Sequence, residues 1–283
     1  MKKIIVAIDF SKGSVHALKF AINIAKEVNA DIQMIWVNKS VAIKPIYQNS
    51  KFDYLSIIRE KFDELVTKYT KKLPNNKITY KIRKGKVYEE VVNQAKYNDA
   101  FLIVAGTHGV SGFEELWIGS NAYRIVSSAA CPVITIRYGH CFNNPIQKIL
   151  LPIDNTLETR QKVPFVSVLA KLMGAEIVIL SLYPTDTDDD KLKVDKYTKQ
   201  TKDYFDKAMV RYKTDKLLSE NNRVKAIIDY TENKNIDLVA ITTEHELSFS
   251  NLLMGQYAQQ MVNHCPIPVL TINSLDLFDI ATR

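Results

Sequence analysis

The chain repeats itself, and that repeat constrains its fold more than any other feature. Lys3–Asp9 reads KIIVAID and Lys148–Asp154 reads KILLPID. The stretch from Asp237 to Ile272 repeats the stretch that ends at Ile136 without a gap, with Gly255 on Gly119. Self-similarity at this spacing means that one supersecondary unit has been used twice. The 283 residues divide comfortably into two domains of ordinary size. Between them, Gly139–Pro145 breaks every periodicity and reads as a linker. The expected domains are 1–138 and 146–276.

Within the first half, short apolar runs alternate with helical patterns. Lys3–Asp9 and Asp31–Asn38 read as strands. Ser11 reads as a helix N-cap before Val15, Leu18, Ile22 and Ala25 at helical spacing. A loop with Pro45 leads to a long helix marked by Leu55, Ile58, Phe62, Leu65 and Tyr69. Lys77–Arg83 alternates as a strand ending at Gly85, and Val87–Tyr97 is a short helix. Phe101–Ala105 is a fourth strand, and Val133–Ile136, opened by Pro132, a fifth. The order predicts an α/β fold with a parallel sheet and helices on both faces. In the second half Glu176–Leu182, Ile236–Thr242 and Pro268–Asn273 are strands. Leu192–Lys213 is expected as the long helix, Leu217–Ser219 as part of the third strand and Val224–Glu232 as the short helix.

Between the fourth and fifth strands of the first half lies a glycine-rich loop with Gly106, Gly109 and Gly112, and then a helix start at Gly119-Ser120-Asn121. Glycines admit close backbone approach. Successive N–H groups and a helix N-terminus form an anion site, and Thr107, Ser111 and Ser120 add hydroxyls. The chemistry indicated is phosphate binding at the carboxyl end of a parallel strand. The spacing Gly106-x2-Gly109-x9-Gly119-Ser120 is neither a Walker loop nor a dinucleotide fingerprint. Together with Asp9, His108 and Cys131-Pro132-Val133, it resembles the signature of the ATP-binding branch of the universal stress protein family. The resemblance covers nearly the whole chain as two tandem domains. It implies open five-stranded parallel sheets, Rossmann-like and similar to the adenine nucleotide alpha hydrolases. It also implies ATP or a related adenine nucleotide, with a divalent metal such as Mg²⁺ held by few protein ligands. Asp9 would lie by the adenosine and Val37 would meet the base through its backbone. Gly106, Thr107, His108, Gly109, Val110, Ser111 and Gly112 would wrap ribose and phosphates. Gly119, Ser120 and Asn121 would hold the phosphates. The loop carries no Lys or Arg.

The second copy has lost this equipment. Thr242, His245 and Ser248 stand where Gly106, Gly109 and Gly112 do, and Gln256 replaces Ser120. Glu244 and Glu246 replace His108 and Val110 and would repel a polyphosphate. ATP binding is therefore expected in the first half only. Asn221 replaces Gly85, a change that leaves a left-handed turn accessible.

Other features carry less. No run reaches the ~18 apolar residues of a membrane span, and the start lacks a secretory h-region, which predicts a cytoplasmic protein. The net charge of +7 comes with no arginine-rich or aromatic-interleaved patch, so nucleic acid is not expected. Asp186–Asp190 lacks the glycine and glutamate of a calcium loop and reads as an acidic helix start. Cys131, Cys141 and Cys265 form no zinc spacing, even with His140 and His264 beside two of them. The lysines from Lys191 to Lys207 read as a solvated helix face, with Val194, Tyr197, Phe205 and Met209 buried. The two fifth strands would be sheet edges. The family pairs domains through them, so the chain is expected to form an internal pseudo-dimer, with a homodimer through fifth strands as a further option. The expected function is a stress-response sensor or regulator that binds adenine nucleotide. A slow ATPase and a tandem scaffold without nucleotide are the alternatives.

Overall fold

The computed structural model describes residues 1–38, 54–107, 119–142, 144–185, 187–219, 222–243, 245–248 and 251–273. Among the expected features, Pro45, residues 108–112, Asn143, Asp186, Asn221 and Glu244 lie outside them.

The first half runs β1 (Lys2–Ala7), α1 (Lys12–Val28), β2 (Ala30–Asn38), α2 (Tyr54–Thr70), β3 (Ile78–Lys84), α3 (Val87–Tyr97), β4 (Leu102–Gly106), α4 (Ser120–Ser128) and β5 (Val133–Ile136). The second half runs β6 (Lys148–Ile153), a 3-10 turn (Glu158–Arg160), α5 (Val163–Met173), β7 (Glu176–Tyr183), α6 (Asp188–Ala208), β8 (Tyr212–Leu218), α7 (Arg223–Lys234) and β9 (Leu238–Thr243). A hairpin of β10 (His245–Ser248) and β11 (Asn251–Met254) follows, then α8 (Gln256–His264) and β12 (Val269–Asn273).

Each half is the expected parallel sheet of five strands, in the order β3-β2-β1-β4-β5 and its repeat β8-β7-β6-β9-β12. The two sheets are continuous. β5 and β12 pair antiparallel, with Leu270 opposite Ile134, and make one ten-stranded sheet. Thr135 Oγ1 donates to the Val269 carbonyl and Thr271 Oγ1 to the Val133 carbonyl across this join. The internal pseudo-dimer thus uses the fifth strands itself. Neither is an edge, so the expected homodimer through them would first require opening the join. The edges are β3 and β8, studded with Lys81, Arg83 and Lys84 and with Lys213, Asp215 and Lys216, which discourage further pairing.

The strands are apolar on both faces because both are covered. Ile4 and Val6 of β1 enter the core beneath α1, α2, α5 and α6. Ile5 enters the opposite core, beneath α3, α4, α7 and α8. Helix ends follow local chemistry. Ser11 caps α1 by accepting from Ser14 N at 3.1 Å, as expected, and Asn29 closes it in the left-handed conformation. Gly174 closes α5 in the same way.

Two boundaries differ from the sequence reading. The long second-half helix is Asp188–Ala208 rather than Leu192–Lys213. Its acidic first turn belongs to the helix, and Met209 ends it at φ 53. That turn leaves Met209 83% exposed instead of buried, and β8 begins at Tyr212. Helix α5, rich in apolar residues, had no separate reading in the sequence.

Candidate functional site

Chain direction reverses between β1 and β4. From β1 the chain moves outward to β2 and β3, and from β4 it moves inward to β5. The carboxyl ends of β1 and β4 therefore bound a crevice at a topological switch point, where open α/β sheets take ligands. Asp9 stands on one side, and Gly106 and Thr107 on the other.

Asp9 follows β1 directly. Its Oδ1 accepts from Ser11 N at 3.0 Å, its own N donates to Ser14 Oγ at 3.3 Å, and the residue is exposed. One carboxylate oxygen thus braces the turn into α1, where Ser11 supplies the cap, while the residue faces solvent at the crevice. Val37 lies near the end of β2, 6% exposed, in register with Arg83 of β3. Gly106 closes β4. A Cβ on it would meet the Gly13 carbonyl oxygen at 3.0 Å and the Gly13 carbonyl carbon at 3.1 Å. Backbone packing against α1 thus favours glycine there irrespective of any ligand, since a Cβ would require the α1 main chain to give by a few tenths of an ångström. Thr107 is 2% exposed. Its N donates to the Ile136 carbonyl at 3.0 Å, and its carbonyl accepts from Gly119 N at 2.6 Å. That bond ties together the two ends of the loop. His108, Gly109, Val110, Ser111 and Gly112 lie outside the described residues. Gly119 is the N-cap of α4 and makes no side-chain cap bond. Ser120 and Asn121 are its first helical residues rather than side-chain caps, and Ser120 is exposed. Of the residues expected at a nucleotide, the structure brings Asp9, Gly106, Thr107, Gly119, Ser120 and Asn121 to one crevice. Val37 lies two strands from β4, beyond β1.

The equivalent crevice of the second half is built in the same way, but its carboxylate is engaged by an arginine. Asp154 repeats Asp9: its Oδ1 accepts from Thr156 N at 3.0 Å, and its N donates to Thr159 Oγ1 at 3.1 Å. Its Oδ2, however, accepts from Arg223 Nη1 at 3.3 Å. The Arg223 guanidinium lies 3.8 Å from the ring centroid of Tyr257, the counterpart of Asn121. Thr242 stands buried in the place of Gly106, and the helix after β6 starts later than α1 does after β1. A 3-10 turn intervenes, and α5 starts only at Val163. The loop equivalent to 107–118 contributes the hairpin β10–β11.

Sequence reading missed Arg223 because it aligns with Val87, in a first helical turn where a charge ordinarily points to solvent. It also missed Lys86 and Tyr88 at the start of α3. The Arg124 guanidinium of α4 lies 5.1 Å from the Tyr88 ring centroid. Lys86 Nζ donates to Glu89 Oε1 at 2.8 Å, as does Tyr88 Oη. This hydrogen bond holds the Lys86 ammonium pKa up and the Glu89 carboxyl pKa down. Burial pushes the Cys265 thiol up to about 11, so it is no thiolate ligand. Among the described residues no cluster of His, Cys, Asp and Glu could hold a metal, and no helix is long and apolar enough to cross a membrane.

A doubled α/β sheet with its crevice at the β1/β4 switch point defines the class of protein as a Rossmann-like tandem. Comparison with known proteins is specific. The model of the universal stress protein family matches residues 1–137 and 145–273. A universal stress protein of Methanocaldococcus jannaschii is 32% identical over 139 residues, covering 48% of this chain and 82% of that protein. One of Bacillus subtilis is 30% identical over 149 residues, covering 48% and 98%. The crystal structure of a universal stress protein from Archaeoglobus fulgidus matches 96% of this chain and 98% of its own, with a TM-score of 0.73 and 16% identity, a likeness of fold. The chain belongs to the universal stress protein family.

Proposed function

We propose that this chain is a cytoplasmic stress-response sensor or regulator that binds ATP, or a related adenine nucleotide, once per chain in its first half. The two halves act as domains 1–138 and 146–276. The contrast between the two crevices carries this reading. Asp9 stands exposed at the crevice bounded by Thr107 and the start of α4, whose N-cap Gly119 makes no side-chain cap bond. Asp154 is paired with Arg223, which stacks on Tyr257. In the first half, Asp9 would meet the adenosine and Val37 the base. Residues 106–112 would line ribose and phosphates, and the N–H groups of Ser120 and Asn121 would donate to phosphate oxygens beside Gly119, whose own N–H is engaged by the Thr107 carbonyl. Thr107 would serve by closing the loop at the phosphates, since its side chain is buried and its N–H and carbonyl are engaged by Ile136 and Gly119. A Mg²⁺ ion would be held by the phosphates and water with few protein ligands.

The test is the nucleotide carried by protein purified without added ligand, released by denaturation and resolved by ion-exchange chromatography. About one adenine nucleotide per chain is expected, and its loss in a Gly109→Glu variant. A protein that carries none, and that binds none on titration with ATP and Mg²⁺, is a scaffold and contradicts the proposal.

A further inference from the structure

We infer that Lys86 and Arg124 form a cationic rim that contacts the terminal phosphates of the nucleotide and selects triphosphate over monophosphate. This inference rests on the nucleotide reading above.

The two residues stand near the N-terminal ends of neighbouring helices. Lys86 is the N-cap of α3, and Arg124 lies one turn into α4, on the same face as Ser120. A helical side chain leans back toward the N-terminus of its helix, which carries Arg124 over the first turn of α4. There its guanidinium lies against the Tyr88 ring, and Tyr88 Oη and Lys86 Nζ both donate to Glu89. Arg124 is close enough to bear electrostatically on both Lys86 and Glu89. Arg124 is exposed, and the Lys86 side chain is 67% exposed, so a ligand has access to both.

Lys86 is a poor residue for its position. A lysine N-cap accepts no backbone N–H, makes no cap bond here, and places a cation at the positive end of the helix dipole. Its ion pair with Glu89 offsets this only in part, because both side chains are exposed, and a local rule broken at such small gain is expected where function requires it. The second half supplies an internal control. Its counterparts are Asn222, which does cap α7 by accepting from Lys225 N at 3.0 Å, and Gln260. Both cations are missing from the half that has lost the glycine loop. The arginine gained there, Arg223, is engaged by Asp154 and Tyr257. In the first half the rim supplies the positive charge that residues 106–112 lack. Glu89 restrains Lys86 and is the carboxylate that a phosphate must displace.

The experiment is calorimetric titration of the full chain and its variants with ATP and with AMP, each with Mg²⁺, alongside circular dichroism to confirm folding. Lys86→Ala/Arg124→Ala is expected to weaken ATP at least about tenfold, the weight of one lost charge-assisted hydrogen bond, and AMP less than about twofold. Glu89→Gln is expected to tighten ATP about threefold, by releasing Lys86 from an exposed ion pair. Equal weakening of ATP and AMP, unchanged ATP affinity in the double variant, or unchanged or weaker ATP binding in Glu89→Gln each overturns the rim. Wild-type protein that binds neither nucleotide overturns the nucleotide reading itself, and the rim with it.

Discussion

Arg223 Nη1 donates to Asp154 Oδ2 at 3.3 Å, at the place where the first half leaves Asp9 exposed. One arginine thus engages the carboxylate of the second crevice. Its partner Asp154 has a side chain only 15% exposed, so the pair is partly desolvated. Arg223→Ala leaves that carboxylate without its cation and Tyr257 without its stacking partner. We expect a loss of about 1–2 kcal/mol in urea denaturation, with nucleotide stoichiometry unchanged. A second nucleotide bound by this variant would show that Arg223 alone bars the site.

Gly106→Ala is expected to cost about 1–3 kcal/mol, because its Cβ would meet the main chain of Gly13 rather than a movable side chain. The measurement is the urea midpoint. A neutral result would mean that the start of α1 yields freely, and would return Gly106 to a purely ligand-facing role.

The β5–β12 join makes the two halves one sheet. Leu270 is fully buried at the join, opposite Ile134. Leu270→Asp buries an unpaired charge and is expected to cost at least about 3 kcal/mol. It should also split a single unfolding transition into two, read by fluorescence and circular dichroism together. One coincident transition in the variant would show that the halves are coupled elsewhere.

Acid should weaken the region around the linker. Burial lowers the pKa of His16 despite a raising hydrogen bond to the backbone of His140, and burial likewise lowers His140. A histidine whose folded pKa lies below its unfolded value near 6.5 binds fewer protons when folded. Stability is therefore full above pH 6.5 and falls as pH drops through it toward the folded pKa. His16 also lies edge-on to Phe142, at 4.8 Å between centroids. His16→Phe should keep that packing and flatten the slope of the urea midpoint between about pH 7 and 5.5. An unchanged slope would remove His16 from the account.

Much of the fold was legible because two parallel sheets need long apolar runs at regular intervals, and the chain supplies them twice. The start of α1 was legible in Ser11, whose capping chemistry is local. The end of α6 was not. Nothing at Met209 announces a left-handed cap, and the charged alternation of β8 resembles the polar face of the helix before it. The crevice was legible through its glycines, but the reason for Gly106 was not, since the close neighbour is Gly13, far away in sequence. The Asp154–Arg223–Tyr257 cluster was illegible for the same reason, because β6, α7 and α8 bring it together only in the fold.

The central claim is one nucleotide site in two similar halves. Equilibrium dialysis of the intact chain against ATP with Mg²⁺ tests it most directly. Saturation at one ATP per chain is expected, retained in Arg223→Ala and abolished in Gly109→Glu. Saturation at two per chain, or no binding, would contradict it.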